Sequence, residues 1–332
     1  MRRVLVPLHV PAVAPLTRRA AGIVSLGGET MGTTWSVKLV AANADAGDAI
    51  LRIVQAELAR VIAQMSQWEP QSDISRFNRA AAGSWHQLPD EFFYVLRTAL
   101  ALAHETGGAY DPTIGALSEI WGFGVAAGRK DHAPEAAAID RAREACGWQA
   151  VALDAERKAA LQPGGVSLDL SSIAKGFAVD LVAQALVRHG CNDHLVEIGG
   201  ELRGTGTKPD GSPWWVALEE TQGAAFETIV ALHGLSIATS GDSRRYIEAG
   251  GRKLSHTIDP RSGWPIRDTL ASVTVLHASC MHADALATAL SVLGAEEGYS
   301  FAASRDLAAR FVMRGVDGPR ERITPAFEAM LD

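Results

Sequence analysis

The chain has 332 residues, of which 47% are apolar and 21% charged, and its net charge is −7. This composition is typical of a globular protein with a large core, and it lacks the basic cluster that nucleic-acid binding requires. The three cysteines have no CxxC spacing, which argues against a disulfide framework or a zinc site. Apolar runs are too short for a transmembrane helix, so none is expected.

The N-terminus has the charge order of a secretory signal, because Arg2 and Arg3 precede a mostly apolar run over residues 4–16. That run contains three prolines, however, and no small-x-small cleavage site clearly follows it. We therefore interpret residues 1–26 as an N-terminal arm and residues 27–332 as one large domain with room for two subdomains. We expect a cytoplasmic protein, with a periplasmic one as the alternative.

The first predicted elements are a glycine-rich loop over residues 27–34 and a strand over 35–40. A long helix is predicted over residues 48–65, because apolar residues recur there at helical spacing. Pro70 pushes the residue before it into extended backbone, so Trp68, one position earlier still, is expected to stand free as a stacking surface. Further helical segments are predicted over 72–78, from Pro89 to the glycines at 107 and 108, and over 139–146.

The stretch over residues 166–180 combines several chemical groups at one predicted turn. Alternating apolar residues over 166–170 indicate a strand, and Ser171 or Ser172 is the expected N-cap of a following helix. Asp169, Lys175 and Gly176 flank these hydroxyls, and helix N-termini are suitable sites for phosphates. The alternative interpretation is an ordinary capped turn with a surface lysine.

The second half of the chain is dominated by strands. Two strands separated by glycines are predicted over residues 195–203, and further strands are predicted over 214–218, 235–239, 271–277 and 310–313. A hairpin is predicted from strands at 246–248 and 253–258. Helices are predicted over 283–293, ending before Gly294, and over 325–331. Hairpins and meanders interleaved with helices favour the α+β class, with largely antiparallel sheets and flanking helices.

Two positions in this half indicate chemistry. Asp284 and Thr288 are four residues apart, so they project from one face of the predicted helix and offer the hard oxygen ligands that Mg²⁺ prefers. The alternative is an aspartate that only complements a helix dipole. His256, at the edge of the predicted hairpin, is a candidate general base, although a single histidine is more often structural.

Together these segments resemble a known family, the FAD:protein FMN transferases or ApbE-type flavin transferases. The resemblance rests on segments that occur in the family's order between about residues 27 and 294, namely Glu29-Thr30-Met31-Gly32-Thr33, Met65-Ser66 with Pro70 and Ser72, Ser75-Arg76-Phe77-Asn78, Tyr110-Asp111-Pro112-Thr113, Asp169-Leu170-Ser171-Ser172-Ile173-Ala174-Lys175-Gly176, Glu197-Ile198-Gly199-Gly200, Ser240-Gly241-Asp242, His256-Thr257-Ile258-Asp259-Pro260 and Ala283-Asp284-Ala285-Leu286-Ala287-Thr288-Ala289. The resemblance implies an ApbE-like fold for the catalytic domain.

The resemblance also implies a reaction. Such enzymes bind FAD and Mg²⁺, cleave the diphosphate and transfer FMN to a threonine or serine hydroxyl of a target flavoprotein, releasing AMP. By resemblance, Asp284 and Thr288 bind Mg²⁺ through side chains and Ser172 and Ala287 through backbone carbonyls, while His256 is the base toward the acceptor hydroxyl. The positions expected to contact FAD are Met31, Trp68, Ala109, Tyr110, Asp111, Asp169, Lys175 and Ile258.

Two other functions are compatible with the same residues. One is a Mg²⁺-dependent FAD pyrophosphatase, in which water replaces the acceptor and the products are FMN and AMP. The other is a non-catalytic flavin-binding protein, in which the metal ligands serve only for affinity.

Overall fold

The computed structural model describes residues 2–8, 22–41, 47–125, 132–220, 226–241, 246–249, 252–267 and 269–332. The helices in these ranges are α1 (Gly47–Met65), α2 (Asp73–Asn78), α3 (Asp90–Glu105), α4 (Gly115–Trp121), α5 (Ala136–Glu144), α6 (Ala174–Arg188), α7 (Cys280–Ser304) and α8 (Pro325–Glu328). The strands are β1 (Arg2–Leu5), β2 (Gly22–Thr30), β3 (Thr33–Ala41), β4 (Ser84–Gln87), β5 (Leu153–Asp154), β6 (Ala159–Gln162), β7 (His194–Ile198), β8 (Glu201–Thr205), β9 (Trp214–Ala217), β10 (Glu227–Leu232), β11 (Leu235–Gly241), β12 (Tyr246–Ala249), β13 (Arg252–Ser255), β14 (Ile258–Asp259), β15 (Trp264–Pro265), β16 (Leu270–His277), β17 (Ala308–Met313) and β18 (Arg320–Ile323).

An antiparallel sheet of eight strands organises the molecule, in the order β18-β17-β16-β11-β8-β7-β3-β2. Its two faces contribute to two different cores, as neighbouring residues of paired strands show. Ile237 of β11 and its partner Leu276 of β16 belong to one apolar cluster, whereas Ala238 and Val275 belong to the other. The alternation of side chains along a strand therefore separates the two layers.

Helices cover one face of this sheet and a small sheet covers the other. Helix α7 packs on β11 and β16, α6 packs on β7 and β8, and α1 packs on α6. The opposite core includes Leu5, Trp214 and Phe327, from β1, β9 and α8. The predicted α+β class with largely antiparallel sheets is confirmed, and the parallel pair of β1 with β10 is an exception to that direction.

The predicted N-terminal arm lies partly outside the described residues. Residues 2–5 form β1 beside β10, and residues 22–26 belong to β2 of the main sheet. The division into an arm and a catalytic domain stays a prediction. In the parts of the chain that are described, no helix combines the length and apolar character needed to cross a membrane.

The glycine-rich stretch at residues 27–34 is not the predicted loop. Gly27 and Gly28 lie inside β2, and the chain reverses at Met31 and Gly32, whose φ angles are 48° and 71°. Positive φ at both central residues is typical of the type I′ turn of a two-residue hairpin, and glycine adopts it readily whereas methionine does not. The turn therefore places Met31 in an uncommon backbone conformation.

Residues 166–170 do not form the predicted strand, although the apolar side chains at positions 166, 168 and 170 are buried. A bridge joins Ser167 to Ile114. The backbone N–H and C=O of Leu168 bond to the side chain of Asn78, at 2.8 and 2.9 Å, while the N–H of Asp169 and the C=O of Ser167 bond to the backbone of residues 112 and 115. An amide side chain and a loop segment together satisfy this buried backbone without a ladder.

The helix predicted to end before Gly294 does end there, because φ of 82° and ψ of −179° at Gly294 are not helical, and a second helical segment of α7 follows directly. Another predicted boundary changes. The terminal helix α8 ends at Glu328, before the predicted residue 331. Asp242, which belongs to a segment of the family resemblance, and Gly250 and Gly251, which lie between the two predicted hairpin strands, are outside the described residues.

Candidate active site

A cleft of about 1300 Å³ is lined by residues of the main sheet, the helical layer and the small sheet. It is bordered by the β2–β3 turn, the segment between α1 and α2, the start of α6, the β7–β8 turn and the first half of α7. The predicted site residues that line it are Met31, Trp68, Ala109, Tyr110, Asp111, Asp169, Ser172, Lys175, His256, Ile258, Asp284 and Thr288. Ala287 is buried behind this wall, where a backbone carbonyl rather than its methyl group would act.

Helix α6 begins at this cleft without a cap from its own side chains. Its N-cap is Ile173, so the predicted cap at Ser171 or Ser172 is wrong. The hydroxyls have other partners, because Ser171 Oγ donates to Asp169 Oδ1 at 2.6 Å and Ser172 Oγ donates to the Tyr110 oxygen at 3.2 Å. The two serines therefore organise the turn before the helix rather than its first N–H groups.

A carboxylate from α7 supplies the missing cap. The backbone N–H of Gly176 donates to Asp284 Oδ2 at 2.9 Å. A side chain at Gly176 would overlap the carbonyl oxygen of Cys280, so glycine permits this close approach of α6 and α7. The arrangement is reciprocal, because Asp180 of α6 accepts from the N–H groups of Cys280 and Met281 at the start of α7, both at 3.0 Å.

Lys175 lies between two carboxylates at the start of α6. Its Nζ is 2.6 Å from Glu201 Oε1 and 3.7 Å from Asp284 Oδ1. Burial lowers the pKa of Lys175, but Asp284 and Glu201 outweigh burial and raise the pKa above its usual value. Burial also raises the pKa of Glu201, which the ammonium only partly offsets. Lys175 is therefore a permanent cation in the cleft and not the surface lysine of the alternative interpretation.

Tyr110 forms a neutral, buried part of the same wall. Burial raises the pKa of its phenol, the hydrogen bond with Ser172 partly offsets this, and the carboxylates of Asp284, Asp169 and Asp111 raise it further. A phenol with a raised pKa stays protonated near neutral pH, so it remains able to donate one hydrogen bond.

Hydroxyl groups hold two of these carboxylates. Asp169 Oδ2 accepts from Ser118 Oγ at 2.9 Å, and Asp111 Oδ1 accepts from the N–H and the hydroxyl of Thr113 at 2.7 and 2.6 Å. Burial raises the pKa of Asp111, and Thr113 partly offsets that increase. The two carboxylates are thus fixed in direction at the cleft wall.

The described part of the cleft lining is acidic. Its charged residues are the carboxylates Asp111, Asp169, Glu201, Glu219, Glu220 and Asp284 and the cations Lys175 and Arg314. A diphosphate would meet this excess of negative charge unless a further cation entered with it. The acidic lining therefore fits a phosphate ligand that binds together with a metal ion.

The donor groups near Asp284 fit Mg²⁺ rather than a transition metal. Among the described residues, no three His, Cys, Asp or Glu side chains are grouped to hold a metal. The hydrogen bonds of Asp284 within these ranges use Oδ2, and Oδ1 faces Lys175 at 3.7 Å. One carboxylate oxygen, a hydroxyl at Thr288 and backbone carbonyls are hard ligands, and Mg²⁺ commonly keeps water and substrate phosphates as its other ligands.

Aromatic and imidazole rings lie at the mouth of the cleft. Trp68 is half exposed, as its expected role as a stacking surface requires. His256 lies between β13 and β14, and the Phe123 ring meets it edge-on with centroids 6.2 Å apart. The cleft therefore combines flat apolar surfaces with one imidazole.

Some residues of this site have no clear signal in the sequence. Glu201 directly follows the Gly199-Gly200 turn, and only the structure shows that it pairs with Lys175. Ser118 and Asn78 act on residues far along the chain. Asn78 belongs to a segment that carries the family resemblance, but its contact with Leu168 was not indicated, and Ser118 had no signal at all.

Comparisons with known proteins agree with this geometry. The model of the ApbE family matches residues 31–311. The chain is 35% identical to the FAD:protein FMN transferase of Vibrio cholerae serotype O1, over all of this chain and 99% of that protein. The structure of the Pseudomonas stutzeri flavinyl transferase ApbE in its apo form is similar with a TM-score of 0.86 and 40% identity, covering 93% of this chain and 97% of that one. The structure of the flavin transferase ApbE from Vibrio cholerae is similar with a TM-score of 0.85 and 34% identity, covering 93% and 99%.

Proposed function

The chain belongs to the ApbE family, and from this premise we propose that it transfers FMN from FAD to a threonine or serine hydroxyl of a target flavoprotein, with Mg²⁺ in the cleft. Its relatives and its fold make it a transferase that moves FMN from FAD to a target protein. The metal and the hydroxyl acceptor are the finer parts of the proposal.

The single observation that carries the proposal is the meeting of Lys175, Asp284 and the start of α6 in an acidic cleft. Phosphoryl transfer depends on charge neutralisation and positioning more than on covalent chemistry. The helix N-terminus and the ammonium favour a diphosphate, while the carboxylates require a metal ion beside it. Asp284 and Thr288, with the carbonyls of Ser172 and Ala287, would hold Mg²⁺, which supplies Lewis-acid stabilisation of the phosphate charge.

The remaining residues of the cleft bind and orient FAD. Trp68 offers a half-exposed ring for stacking, and the apolar side chains of Met31 and Ile258 form part of the cleft wall. Asp111 and Asp169 are carboxylates held in place by neighbouring hydroxyls, so they accept hydrogen bonds in fixed directions. Ala109 and Tyr110 close the floor between them.

In the reaction, the acceptor hydroxyl oxygen forms a bond to the phosphorus of the FMN half of FAD. The bond from that phosphorus to the bridging oxygen breaks, and AMP leaves with the bridging oxygen. The proton of the hydroxyl passes to His256, whose imidazole lies at the cleft wall. Lys175 faces the negative charge that develops on the leaving phosphate.

The direct test uses the purified protein with FAD, MgCl₂ and a candidate acceptor flavoprotein. Flavin fluorescence that stays on the acceptor in a denaturing gel, a matching mass increase and release of AMP support the proposal. Replacing the acceptor threonine by valine should abolish labelling, and EDTA should do the same. Free FMN with or without acceptor would indicate a pyrophosphatase instead, and intact FAD in every mixture would indicate a flavin-binding protein.

The variant His256→Ala tests the proposed base. We expect the single-turnover transfer rate to fall about a hundredfold or more, the usual contribution of a general base, while the Kd for FAD changes little. The rate is measured by covalent flavin fluorescence, and FAD binding by flavin fluorescence quenching. If FAD affinity falls and the turnover of bound FAD does not, the histidine binds the substrate and is not the base.

A further inference from the structure

Glu201 has an unusual position for a carboxylate. It lies at the start of β8, directly after the Gly199-Gly200 turn, and is 4% exposed. One oxygen, Oε1, lies 2.6 Å from Lys175 Nζ. The other, Oε2, is buried and has no hydrogen-bond partner in the described residues. Burying a carboxylate with one oxygen unsatisfied is costly, so its presence here points to a role in the cleft.

The neighbours of Lys175 indicate what that role is. Its Nζ lies at hydrogen-bond distance from Glu201 and forms a longer ion pair with Asp284 Oδ1 at 3.7 Å, a distance beyond that of a charge-assisted hydrogen bond. The two carboxylates thus compete for one ammonium, and Glu201 holds it. Asp284 is fixed on its other side by the N–H of Gly176, so Oδ1 is the oxygen that this competition leaves available.

We propose that Glu201 is a positioning residue that holds the Lys175 ammonium away from Asp284 Oδ1 and so keeps this oxygen available to a divalent cation. Without the Glu201 carboxylate, the flexible lysine side chain would turn toward Asp284 and pair with it directly. A metal ion would then have to displace a bound ammonium before it could reach the oxygen. This inference rests on the magnesium site proposed above.

Direct cation binding tests the proposal independently of catalysis. Mn²⁺ serves as the probe, because its paramagnetic resonance signal reports the free ion, and the titration is done with saturating FAD and no acceptor. We expect Glu201→Gln to weaken Mn²⁺ binding about tenfold, which corresponds to about 1.4 kcal/mol. Lys175→Met should bind Mn²⁺ at least as tightly as the unchanged protein, because the competing ammonium is removed.

The double variant decides between two ways in which Glu201 could act. If it acts through Lys175, Glu201→Gln has no further effect on Mn²⁺ affinity in the Lys175→Met background. If it acts through its own negative charge, the loss of affinity is the same in both backgrounds, and the proposal is wrong. Wild-type affinity in the Glu201→Gln variant would also overturn it.

Two further variants keep the test interpretable. Glu201→Asp retains the charge but shortens the side chain, so it should weaken Mn²⁺ binding in the same direction even if Glu201→Gln folds poorly. Glu197→Gln removes a charge from the same β7–β8 hairpin, where Glu197 bonds to Gly200 and Ser36 instead of Lys175, and Mn²⁺ affinity should be unchanged. If the unchanged protein binds no Mn²⁺ while transfer proceeds, the magnesium site fails and this inference fails with it, whereas FMN transfer stands.

Discussion

Two aspartates in the contact between α6 and α7 occupy equivalent positions and have different surroundings. Asp180 of α6 caps the start of α7, and Asp284 of α7 caps the start of α6. Both are 5% exposed. Burial alone therefore does not separate them, and the difference lies in how many of their lone pairs are used.

Asp180 is fully engaged. It accepts from Arg203 at 2.5 Å, from Ser279 Oγ at 2.7 Å and from the N–H groups of Cys280 and Met281. A carboxylate offers about four lone-pair sites, so these bonds leave no capacity for a ligand. Asp180 is a structural cap that fixes where α7 begins.

Asp284 is only partly engaged. One oxygen accepts from Gly176, and the other faces Lys175 at 3.7 Å across the cleft. The same capping geometry thus fixes the direction of the carboxylate and leaves an oxygen for a metal. Of two equally buried carboxylates, the one with unused capacity at a cleft is the better candidate for function.

The largest expected effect comes from Asp284→Asn. The amide oxygen can still accept from Gly176, so the midpoint of thermal unfolding should move little. Loss of the only charged side chain among the proposed Mg²⁺ ligands should slow transfer about a thousandfold, or several kcal/mol. Single-turnover flavin labelling of an acceptor at saturating Mg²⁺ measures this. Full activity under those conditions would rule out the metal assignment.

The converse change, Asp180→Asn, should act on stability. It leaves Arg203 without its carboxylate and weakens the cap of α7, which we expect to cost about 3 kcal/mol. Urea unfolding measures the loss, and transfer by the folded fraction at low temperature should remain close to that of the unchanged protein. An inactive variant with an unchanged urea midpoint would mean that the two aspartates do not divide their roles in this way.

The sequence predicted most of the helices and strands that have a clear periodic pattern of apolar residues. The helix predicted over residues 48–65 matches α1, and the strand predicted over 271–277 lies within β16. Elements that depend on a distant partner were missed or wrong. In the extended segment at residues 166–170, the backbone of Leu168 bonds to the Asn78 side chain, 90 residues away in sequence, which no local pattern reveals.

The same distinction applies to the site. The resemblance named residues that the fold gathers in one cleft, because each lies in a recognisable segment. It did not indicate that the cap of α6 comes from Asp284, which is 108 residues from Gly176. Ser171 and Ser172 were good N-cap candidates by residue type, but a carboxylate from α7 replaced them. Contacts across helices decide such details, and residue preferences alone do not.

The smallest expected effect is a pH dependence of stability near Asp180, the fully engaged aspartate. His277 Nδ1 accepts from the N–H of Ser279, the residue that caps α7, at 2.9 Å. Burial lowers the pKa of His277, the neighbouring ring of His282 lowers it further, and the Ser279 carbonyl and Asp180 only partly oppose this. Protonation would turn Nδ1 into a donor and break its bond with the Ser279 N–H.

The sign of the effect follows from proton binding. The unfolded chain protonates this histidine near its usual pKa of about 6.5, whereas the folded chain does so only at lower pH. Stability should therefore fall as pH decreases from about 6.5 through the folded pKa, and it should level off below that value. His277→Asn keeps an acceptor for Ser279 and removes the titration, so its urea midpoint should depend less on pH between about 7 and 5. An equally steep dependence in this variant would assign the acid sensitivity to other groups, among them His282 in the first turn of α7, whose pKa burial also lowers.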